Sequence, residues 1–271
     1  MKLFVFFCLV IGASALSRDV RVSLKLAYEL KQTLPEGQHA DFEKFTEFIR
    51  KYERQYTTPE EVSQRFFSIQ KSIKKVVVVS ESDPMAIYGL TKLSDYSKEE
   101  LKRVTSGLIS ESQNVDPSKY VILESEEIPE AFDWREHNGV TPVRDQGVCG
   151  SCYAFGSVAA IESQLLIHKN LSTYLSIEEI LSCTYHNQKY GNNNGCHGGL
   201  PDGVYDFVKD NGITDNEHWE YDDQHEYFNG TCSEVKPVIT KLEDVILLPP
   251  NNAESLKAAL YTYGPVSARK V

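Results

Sequence analysis

No stretch of this chain approaches the roughly 20 consecutive apolar residues that a membrane-spanning helix needs, so no membrane span is expected. Nor is there a basic patch interleaved with aromatics, and the formal net charge is -11, which makes nucleic acid an unexpected partner. The single Cys-x-x-Cys pair, Cys149 and Cys152, has no second pair and no paired His at zinc spacing after it. That argues against a zinc site, and neither metal nor cofactor is expected. No His follows His225.

What is present starts with a leader. Lys2 precedes an apolar run over 3–12, and Ala13-Ser14-Ala15 supplies small residues at a cleavage point, the pattern of a secretory signal. An oxidising route follows, with disulfides. Of 6 cysteines, Cys8 leaves with the leader, so Cys149, Cys152, Cys183, Cys196 and Cys232 remain, and an odd number leaves one thiol unpaired. Which cysteines are joined is not fixed by spacing. Two sequons, Asn170-Leu171-Ser172 and Asn229-Gly230-Thr231, mark Asn170 and Asn229 as expected glycan acceptors.

Cys152 is the expected reactive thiol. Phe155, Val158, Ala159, Glu162, Leu165 and Leu166 recur at spacings of three and four, which predicts a helix over 153–168 beginning near the sulfur. A helix start offers unpaired N–H groups and partial positive charge, so a lowered thiol pKa is expected there. The amide of Gln146, with the backbone N–H of Cys152, has the chemistry of an oxyanion hole. A dithiol redox centre is the competing reading of the same Cys-x-x-Cys.

Upstream, Phe42, Phe45, Phe48, Ile49, Tyr52 and Tyr56 form a stripe that predicts a helix over 41–56, followed by a charged helix from Pro59 to about Lys75. Near the end, Leu256, Ala259, Leu260 and Tyr263 predict a helix over 253–263 with Asn252 as N-cap and Gly264-Pro265 as its stop.

Gln146-Gly147-Val148-Cys149-Gly150-Ser151-Cys152-Tyr153-Ala154-Phe155 resembles the active-site signature of papain-family cysteine proteases. Ile128-Pro129 and Phe132-Asp133-Trp134-Arg135 resemble the start of the mature enzyme. Leu175 through Cys183 resembles its next helix, with Ser176 and Glu179 in capping-box register. Gly195-Cys196-His197-Gly198-Gly199 resembles the glycine pair beside the cleft. Glu61, Arg65, Ile69 and Val76 resemble an inhibitory propeptide pattern, with Ser72 and Ser80 where Asn is usual. Gly89-Leu90-Thr91-Lys92-Leu93-Ser94-Asp95 resembles the propeptide's second signature. Tyr153 departs from the family's usual Trp.

The resemblance implies an α+β, papain-like two-domain fold. Residues 1–15 would be signal peptide, 16–126 an inhibitory propeptide, 127–235 the helical left domain, and 236–271 the start of a β-rich right domain. It implies Cys152 as nucleophile, Gln146 in the oxyanion hole, Gly198 and Gly199 along the substrate backbone, and the pairs Cys149–Cys196 and Cys183–Cys232. Leu200 and Pro201 suggest an apolar pocket for the substrate's second residue. Protein or peptide substrates, the chain's own propeptide as intramolecular inhibitor, release by acid, and a lysosomal or extracellular destination complete the expectation. The family's catalytic His and Asn lie roughly 130 to 150 residues after the Cys. This sequence ends at 271, short of that window, so a chain truncated before them and inactive as written is expected. A second reading is a non-catalytic secreted homologue whose 41–95 region blocks related proteases.

Overall fold

The computed structural model describes residues 16–105, 116–125, 127–222, 231–232 and 237–268. The leader at 1–15, with Cys8, and the sequon at Asn229 lie outside them. The chain divides into two compact units, Met1–Leu101 and Lys102–Val271. Residues 102–105 and 116–125, assigned from sequence to the propeptide, therefore group with the second unit.

The first unit is built on three helices, α1 (Arg18–Lys31), α2 (His39–Lys51) and α3 (Pro59–Ser82). Their inward stripes bury Val20, Leu24 and Ala27 against Phe42, Phe45, Phe48 and Ile49, and against Val62, Phe66 and Ile69. Aromatic rings dominate this core. Phe45 sits 5.4 Å from Phe66 and stacks on Tyr56 at 5.9 Å.

The predicted α2 runs too far. Glu53 takes a left-handed φ of 49° just past Lys51, so the helix stops and Tyr56 reaches the core from the following loop. Its backbone is held by the buried Ser23 of α1, whose Oγ accepts from the Tyr56 N–H at 2.6 Å. α1 itself is not among the predicted helices.

α3 starts where Pro59 predicts. Pro59 occupies the first turn, Thr58 Oγ1 accepts from the Glu61 N–H, and Glu61 Oε2 accepts from the Thr57 N–H. It continues past Lys75 to Ser82, although its buried residues, Val62, Phe66 and Ile69, all lie in the first half.

α4 (Lys98–Thr105) follows a turn held by polar contacts. Buried Asp95 accepts from Arg54 and from the Tyr56 hydroxyl, and Arg65 donates twice to Glu100. Ser72 Oγ donates to the Ser94 carbonyl at 2.8 Å, so the shorter side chain still ties α3 to the second signature.

In the second unit α5 (Cys152–Lys169), α6 (Ile177–Thr184) and α7 (Pro201–Asn211) enclose one core. Ala154, Val158, Ile161 and Leu165 of α5 meet Ile180 and Leu181 of α6 and Val204, Phe207 and Val208 of α7. Among the described residues β structure is confined to isolated bridges, such as Leu175 with Asp215 and Ile213 with Thr240.

The capping box at α6 is half made. Ser176 Oγ accepts from the Glu179 N–H at 3.0 Å, but Glu179 Oε2 accepts from the Thr214 N–H at 2.7 Å instead of closing back on Ser176. A long-range partner outcompetes the local one.

α8 (Ala253–Thr262) has the predicted cap, Asn252 Oδ1 accepting from the Ser255 N–H. Its buried face keeps only Ala259 of the predicted one. Ser255, Ala258 and Ala259 point inward, while Leu256, Leu260 and Tyr263 are exposed, because small residues allow close approach to the chain at Leu123.

Candidate active site

Cys152 is the first residue of α5, half-buried, and the unpaired cysteine among those described. Its four described neighbours in composition are bonded as Cys149–Cys196 and Cys183–Cys232. The first disulfide, with the Gly150 N–H donating to the Cys196 carbonyl at 2.9 Å, pins the 147–151 loop to the Gly195–His197 turn. The backbone N–H groups of Tyr153 and Cys152, at the start of α5, favour the thiolate.

The expected lowering of the thiol pKa is nonetheless overturned. Burial strips water from the thiolate and pushes the Cys152 thiol up, by more than the two N–H groups bring it down. The helix start acts in the expected direction but is the smaller effect.

Gln146 lies in the loop before α5. Its Nε2 donates to the Cys149 carbonyl at 2.7 Å and to the carbonyl of Val104 at 3.4 Å. Both amide hydrogens thus face carbonyl oxygens, one of them from well upstream in the chain.

Gly198 and Gly199 are buried, and Gly198 adopts φ 108°. A Cβ on Gly199 would stand 2.5 Å from Asn193 Oδ1 and 2.7 Å from the Tyr153 ring. The protein's own interior therefore demands a glycine at 199. Leu200 is buried too, its N–H donating to Asn193 Oδ1 at 2.7 Å.

Three functional groupings escaped sequence reasoning. Fully buried Asn193 also donates to Thr184 Oγ1, so the polar 184–195 loop is organised from its centre. Glu162, buried within α5, accepts from Arg144, Thr141 and the Leu175 N–H. Burial drives this pair toward neutrality, raising the carboxyl and lowering the guanidinium. Tyr221 reaches back to donate to the Gln146 carbonyl at 2.7 Å and meets Ser151 Oγ at 3.0 Å. A tyrosine opposite a buried serine 70 residues away leaves no local sequence signal.

Several described histidines are engaged elsewhere. His186 bonds Asn194 at 2.9 Å, His218 bonds Asp215 at 2.6 Å, and His137 stacks on Phe132. His197 is exposed on its turn. Asn170 is exposed at the left-handed C-cap of α5. Among the described residues no group of three side chains is arranged to hold a metal, and no helix is long and apolar enough to cross a membrane.

Comparison with known proteins adds a family model. Residues 128–270 match the model described as papain family cysteine protease. Cysteine proteinase 15A of Pisum sativum is 29% identical over 82% of this chain and 62% of its own length. Cathepsin L of Sarcophaga peregrina is 35% identical over 66% of this chain and 53% of its own. Cysteine protease XCP2 of Arabidopsis thaliana is 30% identical over 93% of this chain and 71% of its own. The chain thus spans less than two thirds of the length of the first two. Among solved structures, digestive procathepsin L2 proteinase from Tenebrio molitor larval midgut superposes with a TM-score of 0.71 at 26% identity, covering 83% of this chain and 73% of that one. The recombinant stem bromelain precursor superposes with a TM-score of 0.69 at 24% identity, covering 82% and 69%, a likeness of fold.

Proposed function

This chain belongs to the papain family of cysteine proteases and shares the fold of its proenzymes, and on that premise we propose that it carries a peptide-hydrolysing site centred on Cys152. The observation that carries the reading is an unpaired, half-buried thiol at the first residue of α5. In the proposed reaction the Cys152 sulfur attacks a peptide carbonyl, the peptide C–N bond breaks, the amine departs with the proton the thiol gave up, and an acyl-enzyme thioester remains. Water then attacks the thioester, returning the thiol and releasing the acid. Gln146 Nε2 and the Cys152 N–H are the proposed oxyanion donors, and Gly198 and Gly199 the proposed wall along the substrate.

The 16–126 region is proposed as an intramolecular inhibitor. Val104, which lies in it, accepts from Gln146 at 3.4 Å, the amide assigned to the oxyanion. A secretory or lysosomal route is proposed with Asn170 as glycan acceptor. Residues 170–172 are exposed, and neither Asn170 nor Ser172 has a recorded side-chain partner. A glycosidase-sensitive mass increase no smaller in Asn170→Gln than in the parent would remove that assignment.

The first unit, a self-contained helical core, also supports a second reading, a non-catalytic chain that blocks related proteases. One experiment separates the two. The full chain is incubated with a fluorogenic peptide amide and, separately, with an epoxysuccinyl peptide that alkylates a thiol beside a bound backbone. Hydrolysis lost in Cys152→Ser supports the protease. Absence of both turnover and labelling, together with inhibition of another papain-family enzyme, supports the blocker.

A further inference from the structure

We propose that Tyr221 is a positioning residue for the Cys152 thiol, drawing the Ser151 hydroxyl away from the first turn of α5 so that its N–H groups stay directed at the sulfur. This rests on the reading of Cys152 as the reactive centre.

Serine at a helix N-cap ordinarily accepts from the N–H two or three residues on. Ser151 occupies that position before α5 and makes no such bond, its backbone at φ -95° and ψ 17° lying outside the extended geometry of a capping serine. Its hydroxyl is fully buried and lies 3.0 Å from Tyr221 Oη. Proton inventory fixes the direction of that contact. The Tyr221 hydroxyl has one hydrogen, which goes to the Gln146 carbonyl at 2.7 Å, and a carbonyl can only accept. Ser151 must therefore be the donor to Tyr221.

The result is a directed relay, Ser151 O–H to Tyr221 O–H to Gln146 C=O, in which each bond polarises the next. Phe155 meets the Tyr221 ring edge-on at 5.0 Å and holds it in place. One hydroxyl thus braces the backbone beside both proposed oxyanion donors. The Tyr153 N–H, which a capping Ser151 would compete for, is left to the sulfur. Of the two tyrosines nearby, Tyr221 is held in the relay and the Tyr153 hydroxyl is directed at the Gly195 carbonyl.

The test uses the full chain and reads iodoacetamide alkylation of Cys152 by mass spectrometry across a neutral-to-alkaline pH series. Alkylation follows thiol ionisation whether or not a peptide is hydrolysed, so failure of the protease reading and failure of this one are separable. In Tyr221→Phe the released Ser151 relaxes to the extended geometry of a capping serine, its oxygen competes for the first-turn N–H, and alkylation near neutral pH slows about tenfold, the effect of one charge-assisted hydrogen bond. Adding Ser151→Ala restores the original profile, because the competing oxygen is gone. Ser151→Ala alone leaves the profile unchanged. A merely structural Tyr221 would lower the melting temperature in both Phe variants with no rescue of the profile. An unchanged profile in Tyr221→Phe, a double variant as slow as the single, or an upward shift in Ser151→Ala overturns the proposal.

Discussion

Arg144 Nη2 lies 2.7 Å from Glu162 Oε1, and the carboxylate side chain is only 1% exposed. Removing one partner strands the other in the interior, which typically costs about 3–5 kcal/mol. Arg144→Met should therefore destabilise the second unit by about that much in urea unfolding. Arg144→Met with Glu162→Gln should lose clearly less, since no buried charge remains unpaired. Equal losses in the two variants would show that the pair is not the source.

Gly199→Ala tests the crowded glycine. The added methyl meets Asn193 Oδ1 and the Tyr153 ring below 3.0 Å, and overpacking of this kind costs about 1–3 kcal/mol. A lowered melting temperature is expected even without substrate present. If only peptide turnover fell and stability held, the glycine would serve the substrate alone.

Replacing both Cys183 and Cys232 by Ala removes a link that closes a 49-residue separation. The chain-entropy account puts such a loop at about 4 kcal/mol, with measured losses commonly about 2–5 kcal/mol. Chemical unfolding of the oxidised parent against the variant reads this directly, and the variant should match the parent in Cys152 alkylation.

Acid should loosen the first unit through Glu100. Burial pushes its carboxyl up, but the Arg65 guanidinium and the Ser97 N–H and hydroxyl outweigh that and hold it below the ordinary carboxylate value. A carboxyl lowered on folding adds stability above its unfolded pKa, near 4.5, and that stability is lost as pH falls through the folded value. Glu100→Gln should flatten the acid limb of the melting-temperature profile. An unchanged slope would place the acid response elsewhere.

Much of the fold was legible because it is local. Pro59 with Thr58, Asn252 with Ser255, and the spacing of apolar residues behind Cys152 are signals within a few residues of each other, and the helices follow them. α1 was missed because its buried stripe includes Ser23, a polar residue whose partner, Tyr56, is 33 residues away. The larger apolar residues of α8 misled for the opposite reason, since small Ser255 and Ala258 joined the predicted Ala259 on the inside. At the site, Cys152 and Gln146 stand in one short motif. Tyr221, Asn193 and Arg144 act through partners that only folding brings near. The sign of the thiol shift was hidden likewise, because desolvation depends on what packs above the sulfur.

That buried sulfur has one more effect. A thiolate three positions from a disulfide would attack it readily, and exchange rates follow the ionised fraction of the attacking thiol. Because burial pushes the Cys152 thiol up, less of it is ionised to attack the neighbouring Cys149–Cys196 link.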